Sequence, residues 1–381
     1  MRILVLSNFP ATPRHPNVGV FVRERVRCLR ELGHDVQLRT LFPVPVPSLP
    51  YLPSKGDAGW PGRPPSPDLM NLVIPVSAPK FVAGAALTSP RSVCLEMAQS
   101  VLDTIDGDVH LVVSHGAYRL PAAGVASHVA QYLGRPYVTV AHGSDIHQMR
   151  RASRPYLREV FMNAEATIFV SRDLLAAARA RGLSPSQPHV ISNGFDGSVF
   201  RLAPTRRPGP PRLLFAGTLS RVKGADRLPG LMQEVWRLDP NARLSVAGEG
   251  PLAGALRDIK DPRVRLLGPQ SHMDLAALMG DSDVLVVPSR NEGWGCVVKE
   301  AQATGTYVVA NAVGGLRESV GEGGELVDMG GGWSVGDFAA ASVRGVGRMD
   351  RSSVAASADG FTWENVVTEE LKVFAAAVAT G

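Results

Sequence analysis

Glu292 and Glu300 stand eight residues apart, separated by Gly293-Trp294-Gly295-Cys296-Val297-Val298-Lys299. A buried-looking strand, Asp283 to Pro288, leads into this stretch, and a helix is expected to start near Gly295. One carboxylate then precedes the helix and the other lies inside it. Backbone amides at a helix start attract an anion, and glycines let the backbone approach it closely. A ligand with hydroxyls at both ends and phosphate between them fits such a frame, and a nucleotide sugar has that layout. Lys223, just past a strand of the second half, is a cation placed to neutralise a diphosphate.

The elements that must hold these groups alternate in type. Ile3–Ser7 reads as a strand, and a helix over 21–32 follows, with Val22, Val26, Leu29 and Leu32 at helical spacing and Gly33 ending it. Strands are expected at 35–40, 111–114, 137–141 and 166–170, then again at 212–216, 243–247, 264–267, 284–287 and 307–310. Strands separated by helix-length segments predict an α/β fold of parallel sheets covered on both faces. Ala203 to Pro211, rich in Pro and Arg, reads as a linker. The expected division is therefore a first domain 1–202, a linker 203–211, a second domain 212–360, and a terminal helix 361–381 packing back on the first. Two such domains would face a ligand crevice with the carboxyl ends of their strands. Pro43 to Pro67 holds nine prolines and reads either as a disordered decoration or as an acceptor-contacting lid.

Composition narrows the class. A chain of 381 residues, 45% hydrophobic and 20% charged, is expected to be globular with two domains. The opening apolar run is too short for a signal peptide, and no stretch approaches the roughly 18 apolar residues of a membrane span. Cys28, Cys94 and Cys296 are odd in number and widely spaced, giving neither a disulfide framework nor a zinc pattern. A cytoplasmic home follows as an expectation. The net charge of +5 comes with six lysines against 34 arginines and no basic run with interleaved aromatics, which argues against nucleic acid. Arg23, Arg27 and Arg30 form a stripe on the first helix, read as a solvated face or as a contact to an anionic membrane surface.

The Glu292–Glu300 stretch resembles the Glu-x7-Glu motif of family 4 retaining glycosyltransferases, which have the GT-B fold of two Rossmann-like domains around an interdomain cleft. Further matches run in the family's order along nearly the whole chain. They are Asn17 to Val22 with Leu32 to Val36, then His142-Gly143-Ser144-Asp145-Ile146, Ile191 to Asp196, Gly217 to Gly224, Gly248 to Pro251, and Val313 to Val320. The amino-terminal half is most similar to members that build cell-surface polysaccharides.

The resemblance implies transfer of a sugar from a nucleoside diphosphate to an acceptor hydroxyl with retained configuration, without a metal or other cofactor. It implies that Lys223 meets the diphosphate, Glu292 the donor-sugar hydroxyls and Glu300 the ribose. Gly19, Gly293, Trp294, Gly295, Cys296 and Val297 would offer backbone contacts to the donor. His142 would touch the transferred sugar, while His115 and Asp145 would lie on the acceptor side. Thr218 stands where the family often has arginine; Arg221 is either its substitute or a solvated helix-start residue. Trp294 and Cys296 replace the more usual Phe and Leu. Asp281-Ser282-Asp283 looks like a metal-binding pair, but Asp283 opens a buried strand, so no metal role is expected. The acceptor (glycan, lipid-linked or small molecule) and the base (uracil or guanine) stay open, as does peripheral contact with the inner membrane face. Two other functions on the same architecture are a nucleotide-sugar epimerase and a non-catalytic sugar-nucleotide-binding protein.

Overall fold

The computed structural model describes residues 1–9, 19–44, 71–77, 90–116, 122–149, 153–202, 209–328, 330 and 332–380. The chain divides into two compact units, Met1–Ser192 with Glu364–Gly381, and Asn193–Trp363.

The first unit is built on a seven-stranded, wholly parallel sheet in the order β3-β2-β1-β4-β5-β6-β7. Its strands are β1 (Arg2–Ser7), β2 (Asp35–Val44), β3 (Asn71–Ser77), β4 (Leu111–His115), β5 (Tyr137–Ala141), β6 (Ala166–Phe169) and β7 (Pro188–Val190). The helix Val20–Glu31 links β1 to β2 and buries Val22, Val26 and Leu29, three of the four residues expected to face inward; Leu32 is 51% exposed. Gly33 ends this segment at φ 82°, a left-handed conformation that glycine adopts without strain.

The second unit carries a six-stranded parallel sheet in the order β10-β9-β8-β11-β12-β13. The strands are β8 (Arg212–Ala216), β9 (Arg243–Ala247), β10 (Val264–Gly268), β11 (Val284–Val287), β12 (Tyr307–Asn311) and β13 (Gly324–Val327). Both faces are covered. Leu213, Phe215, Val284, Val286, Tyr307 and Val309 enter one apolar cluster, while Leu214, Leu285, Val287, Val308 and Ala310 enter the other. Successive side chains of a strand point to opposite faces, which is why these segments read as continuous apolar runs.

The division of the chain differs from the expected one. The boundary lies ten residues earlier than the Pro/Arg-rich stretch suggested, and Asn193 to Leu202 belong to the second unit. Phe195 forms an isolated parallel bridge with Thr362, and Phe200 is buried in the second-unit core. A Cβ on Gly194 would come within 2.8 Å of the Trp363 nitrogen, so the chain's entry and exit strands touch. The terminal helix Trp363–Thr380 joins the first unit from Glu364 onward. Glu370 on that helix pairs at 2.8 Å with Arg25 of the first helix, each side chain 1% exposed. Of the Pro-rich stretch, Pro43 and Val44 close β2, and residues 45–67 lie outside the described residues, as do Asn17 and Val18. Among the described residues no helix is long and apolar enough to cross a membrane.

Candidate active site

In both sheets the strand order reverses about one strand, β1 in the first and β8 in the second. Loops leaving the carboxyl ends at such a reversal are the ordinary place for a ligand. Gly19, Lys223 and Glu292 lie on such loops.

In the second unit, the turn after β8 starts at Gly217, whose carbonyl oxygen would be 2.0 Å from a Cβ on Gly248. Gly224 takes φ 75° and packs on Pro288, where a Cβ would lie 2.1 Å from its carbonyl oxygen. Side chains are excluded at these positions, so the loops after β8, β9 and β11 close on one another. Lys223 sits inside this closure. Its Nζ donates to Oε1 and Oε2 of Glu292 at 2.6 and 2.7 Å, and Ser289 Oγ donates to Oε1 at 3.1 Å. Glu292 is 8% exposed and the Lys223 side chain 36%. The loop that carries Glu292 rests on Gly314 and Gly315: Gly315 N–H donates to Glu292 O at 3.0 Å, and a Cβ on either glycine would fall within 2.2 Å of a carbonyl oxygen of Glu292 or Gly293.

Gly295 then starts the helix Cys296–Ala303 from φ 88°, with no side-chain cap on its leading amides. Trp294 is buried and packs its ring 5.7 Å from Phe361, and Cys296 and Val297 are half-buried at the helix start. Glu300 lies in the second turn. Its surface is partly open, but the protein around it disfavours the charge and raises its pKa to about 7. Among the described residues no cation or hydrogen-bond donor meets its carboxylate. The folded state therefore favours the protonated form, a contribution fully present below pH 4.5 and lost as pH rises through 7. Glu300→Gln is expected to leave stability unchanged at pH 4 and to raise it at pH 8, measured by urea unfolding at both pH values. An equal effect at both would contradict the burial of this carboxyl.

Sequence reasoning missed Lys299, the residue before it. Lys299 is buried and donates to Gln302 Oε1 at 2.9 Å and Ser357 O at 2.8 Å, with its ammonium 4.4 Å from the Phe361 ring centroid. Desolvation lowers its pKa to about 8. It anchors the glutamate-bearing helix to the segment that leaves the unit. The Lys-x-x-Gln spacing on one helix face was the only available signal. Thr218 and Arg221 are both exposed. The Arg221 backbone is held by Arg290, which also binds Asp226 at 2.7 and 2.8 Å.

In the first unit, Gly19 precedes the first helix at φ 68°, and a Cβ there would lie 2.3 Å from Phe9 O. Phe9, just past β1, and Phe21 on the helix pack against the imidazole of His142, with centroids 5.8 and 4.3 Å away. His142 follows β5, and its backbone N–H donates to Asp145 Oδ2 at 2.6 Å. His115, the last residue of β4, places Nδ1 3.0 Å from His142 Nε2.

Three placements bear on the sequence reading. His115 and Asp145 are 2% and 1% exposed, and both contact His142 from within. The arginines of the first helix are half-buried rather than a free stripe: Arg27 pairs with Glu24, Glu31 and Glu364, and Arg30 donates to Val36 O at 2.7 Å. The Asp281-Ser282-Asp283 group is tied into structure, with Asp283 Oδ2 accepting from Arg212 N–H at 2.8 Å and Asp281 paired with the Arg212 guanidinium.

The chain is similar to known proteins. A family model described as "Glycosyl transferase 4-like domain" matches residues 18–194, and one described as "Glycosyl transferases group 1" matches 210–345. The chain is 34% identical over 203 residues to glycogen synthase of Mycobacterium tuberculosis, covering 49% of this chain and 48% of that protein. The chain thus spans about half the length of the first curated relatives it matches. It is 29% identical to D-inositol 3-phosphate glycosyltransferase 1 of Catenulispora acidiphila across 100% of this chain and 96% of that one. Its fold matches that of Anabaena HepE, solved in complex with UDP, with a TM-score of 0.71, 15% identity, and coverage of 99% and 100%.

Proposed function

This chain belongs to the group 1, family 4-like glycosyltransferases of GT-B fold, and from that premise we propose that it moves a sugar from a nucleoside diphosphate to an acceptor hydroxyl, with retention and without a metal. The observation that carries this reading is the Lys223–Glu292 contact at the strand-order reversal, with the amide-bearing start of the Glu300 helix next to it in sequence.

Each group then has a task. Without donor, Lys223 and Glu292 neutralise each other. Donor-sugar hydroxyls bonding to Glu292 free the ammonium, whose flexible four-carbon stem lets it turn to the diphosphate. There it stabilises the charge that grows as the glycosidic bond breaks, together with the amides that follow Gly295. Arg221, exposed at the same turn, supplies the second cation that Thr218 lacks. Glu300 accepts the ribose hydroxyls; a charged acceptor gains about 1.5–3 kcal/mol from such a bond. Gly19 offers backbone to the phosphate side and His142 contacts the transferred sugar. The departing diphosphate takes the acceptor's proton on the same face, which accounts for retention without a protein nucleophile.

HepE's complex with UDP supports uridine nucleotides as the first donors to test. A thermal-shift panel of UDP, GDP and their sugars should identify the donor, because a ligand at about 100 times its Kd adds roughly 2.7 kcal/mol. Incubation of the selected donor with glycan, lipid-linked and small-molecule acceptors should then give a product with the donor's anomeric configuration, read by proton NMR. Inverted product would overturn retention. Epimerised donor in the absence of acceptor would favour an epimerase.

A further inference from the structure

We infer that His115 is a positioning residue: its Nδ1, 3.0 Å from Nε2 of His142, fixes the ring orientation and tautomer with which His142 meets the transferred sugar. This rests on the contact proposed above for His142.

The geometry leaves little freedom on that axis. Only one hydrogen fits between two imidazole nitrogens at this separation, so one ring donates and the other accepts. His115 cannot turn away. It ends β4, pairs in register with Val140 of β5, and is 2% exposed. It also stays uncharged: burial first, and the nearby Arg25 guanidinium second, hold its pKa well below the usual histidine range. Arg25 is itself kept in place by Glu370 of the terminal helix. His142 is closed in by Phe9 and Phe21. The planes of the His115 and His142 rings differ by only 25°, with 5.3 Å between their centroids. A neutral imidazole of one tautomer offers a sugar hydroxyl either a donor or an acceptor at a given nitrogen, never both, so the choice made by His115 sets the hydrogen-bond pattern that His142 presents.

His115→Leu removes the partner, whereas His115→Asn returns a polar amide close to the position of Nδ1. The first readout is the long-range proton–nitrogen correlation of the His142 ring, assigned by its loss in His142→Gln. The wild type and the Asn variant should show one tautomer, and the Leu variant an averaged pair. The second readout is transfer from UDP-glucose. kcat should fall about a hundredfold in the Leu variant, as for a misplaced contact group, with little change in KM, and should largely recover in the Asn variant. A mixed tautomer in the wild type, or a single one in the Leu variant, overturns the inference. The NMR result needs no turnover, so failure of every acceptor would count against the proposed function and leave the inference tested. Should His115→Leu not fold, as judged by its Tm, the wild-type and Asn spectra decide: one shared tautomer supports the inference and a mixture in either sinks it.

Discussion

Lys223→Ala is expected to lower kcat by about a hundred- to a thousandfold, the usual effect of losing one group that stabilises charge in the transition state. The donor's KM should move far less, because the contacts proposed for Glu292, Glu300 and the helix amides stay in place. The substitution also strands a carboxylate that is 8% exposed, so stability must be followed alongside rate. The lysine side chain is 36% exposed, which lets water screen the pair and limits the stability loss to about 1 kcal/mol. Rate and stability thus separate: a thousandfold loss at nearly unchanged midpoint in urea supports the assigned role. Near-normal kcat in the Ala variant would remove Lys223 from the chemistry.

Glu370→Ala should be the most destabilising substitution in the first unit. Removing one partner of a buried ion pair typically costs about 3–5 kcal/mol, since the other charge is left without compensation. Arg25 would keep its bond to Phe21 O, at 3.0 Å. Burial raises the pKa of Glu370 even with Arg25 beside it, so desolvation outweighs the attraction between the two. The pair therefore specifies where the terminal helix docks more than it adds net stability. Replacing both residues, Arg25→Met with Glu370→Leu, should recover most of the loss in urea unfolding. A double variant as unstable as Glu370→Ala would refute that account.

How much of this could be read from the sequence depends on range. The strands 137–141, 212–216, 243–247 and 284–287 appear with their expected bounds because most of their residues are apolar and buried. Three strands were missed for local reasons. β7 has only three residues and includes Pro188, β13 opens on Gly324, and β3 follows the Pro-rich stretch. The helix start at Gly295 and the two flanking glutamates were legible as a motif. The ion pair from Lys223 to Glu292 spans 69 residues and the His115–His142 contact spans 27, separations at which composition and periodicity carry no signal. The unit boundary was misplaced for the same cause: a linker-like composition at 203–211 competed with a pairing between Phe195 and Thr362 that only the fold reveals.

The adjoining entry and exit of the second unit have a consequence for synthesis. A ribosome releases Arg25 early and its counter-ion Glu370 345 residues later, after the entire second unit has emerged. The nascent amino-terminal half must therefore wait for the Glu370 carboxylate and the helix that carries it, while the inserted half can fold as soon as Trp363 appears. Ribosome-bound chains halted before the terminal helix should accordingly be protease-resistant in their middle and cleavable near their beginning.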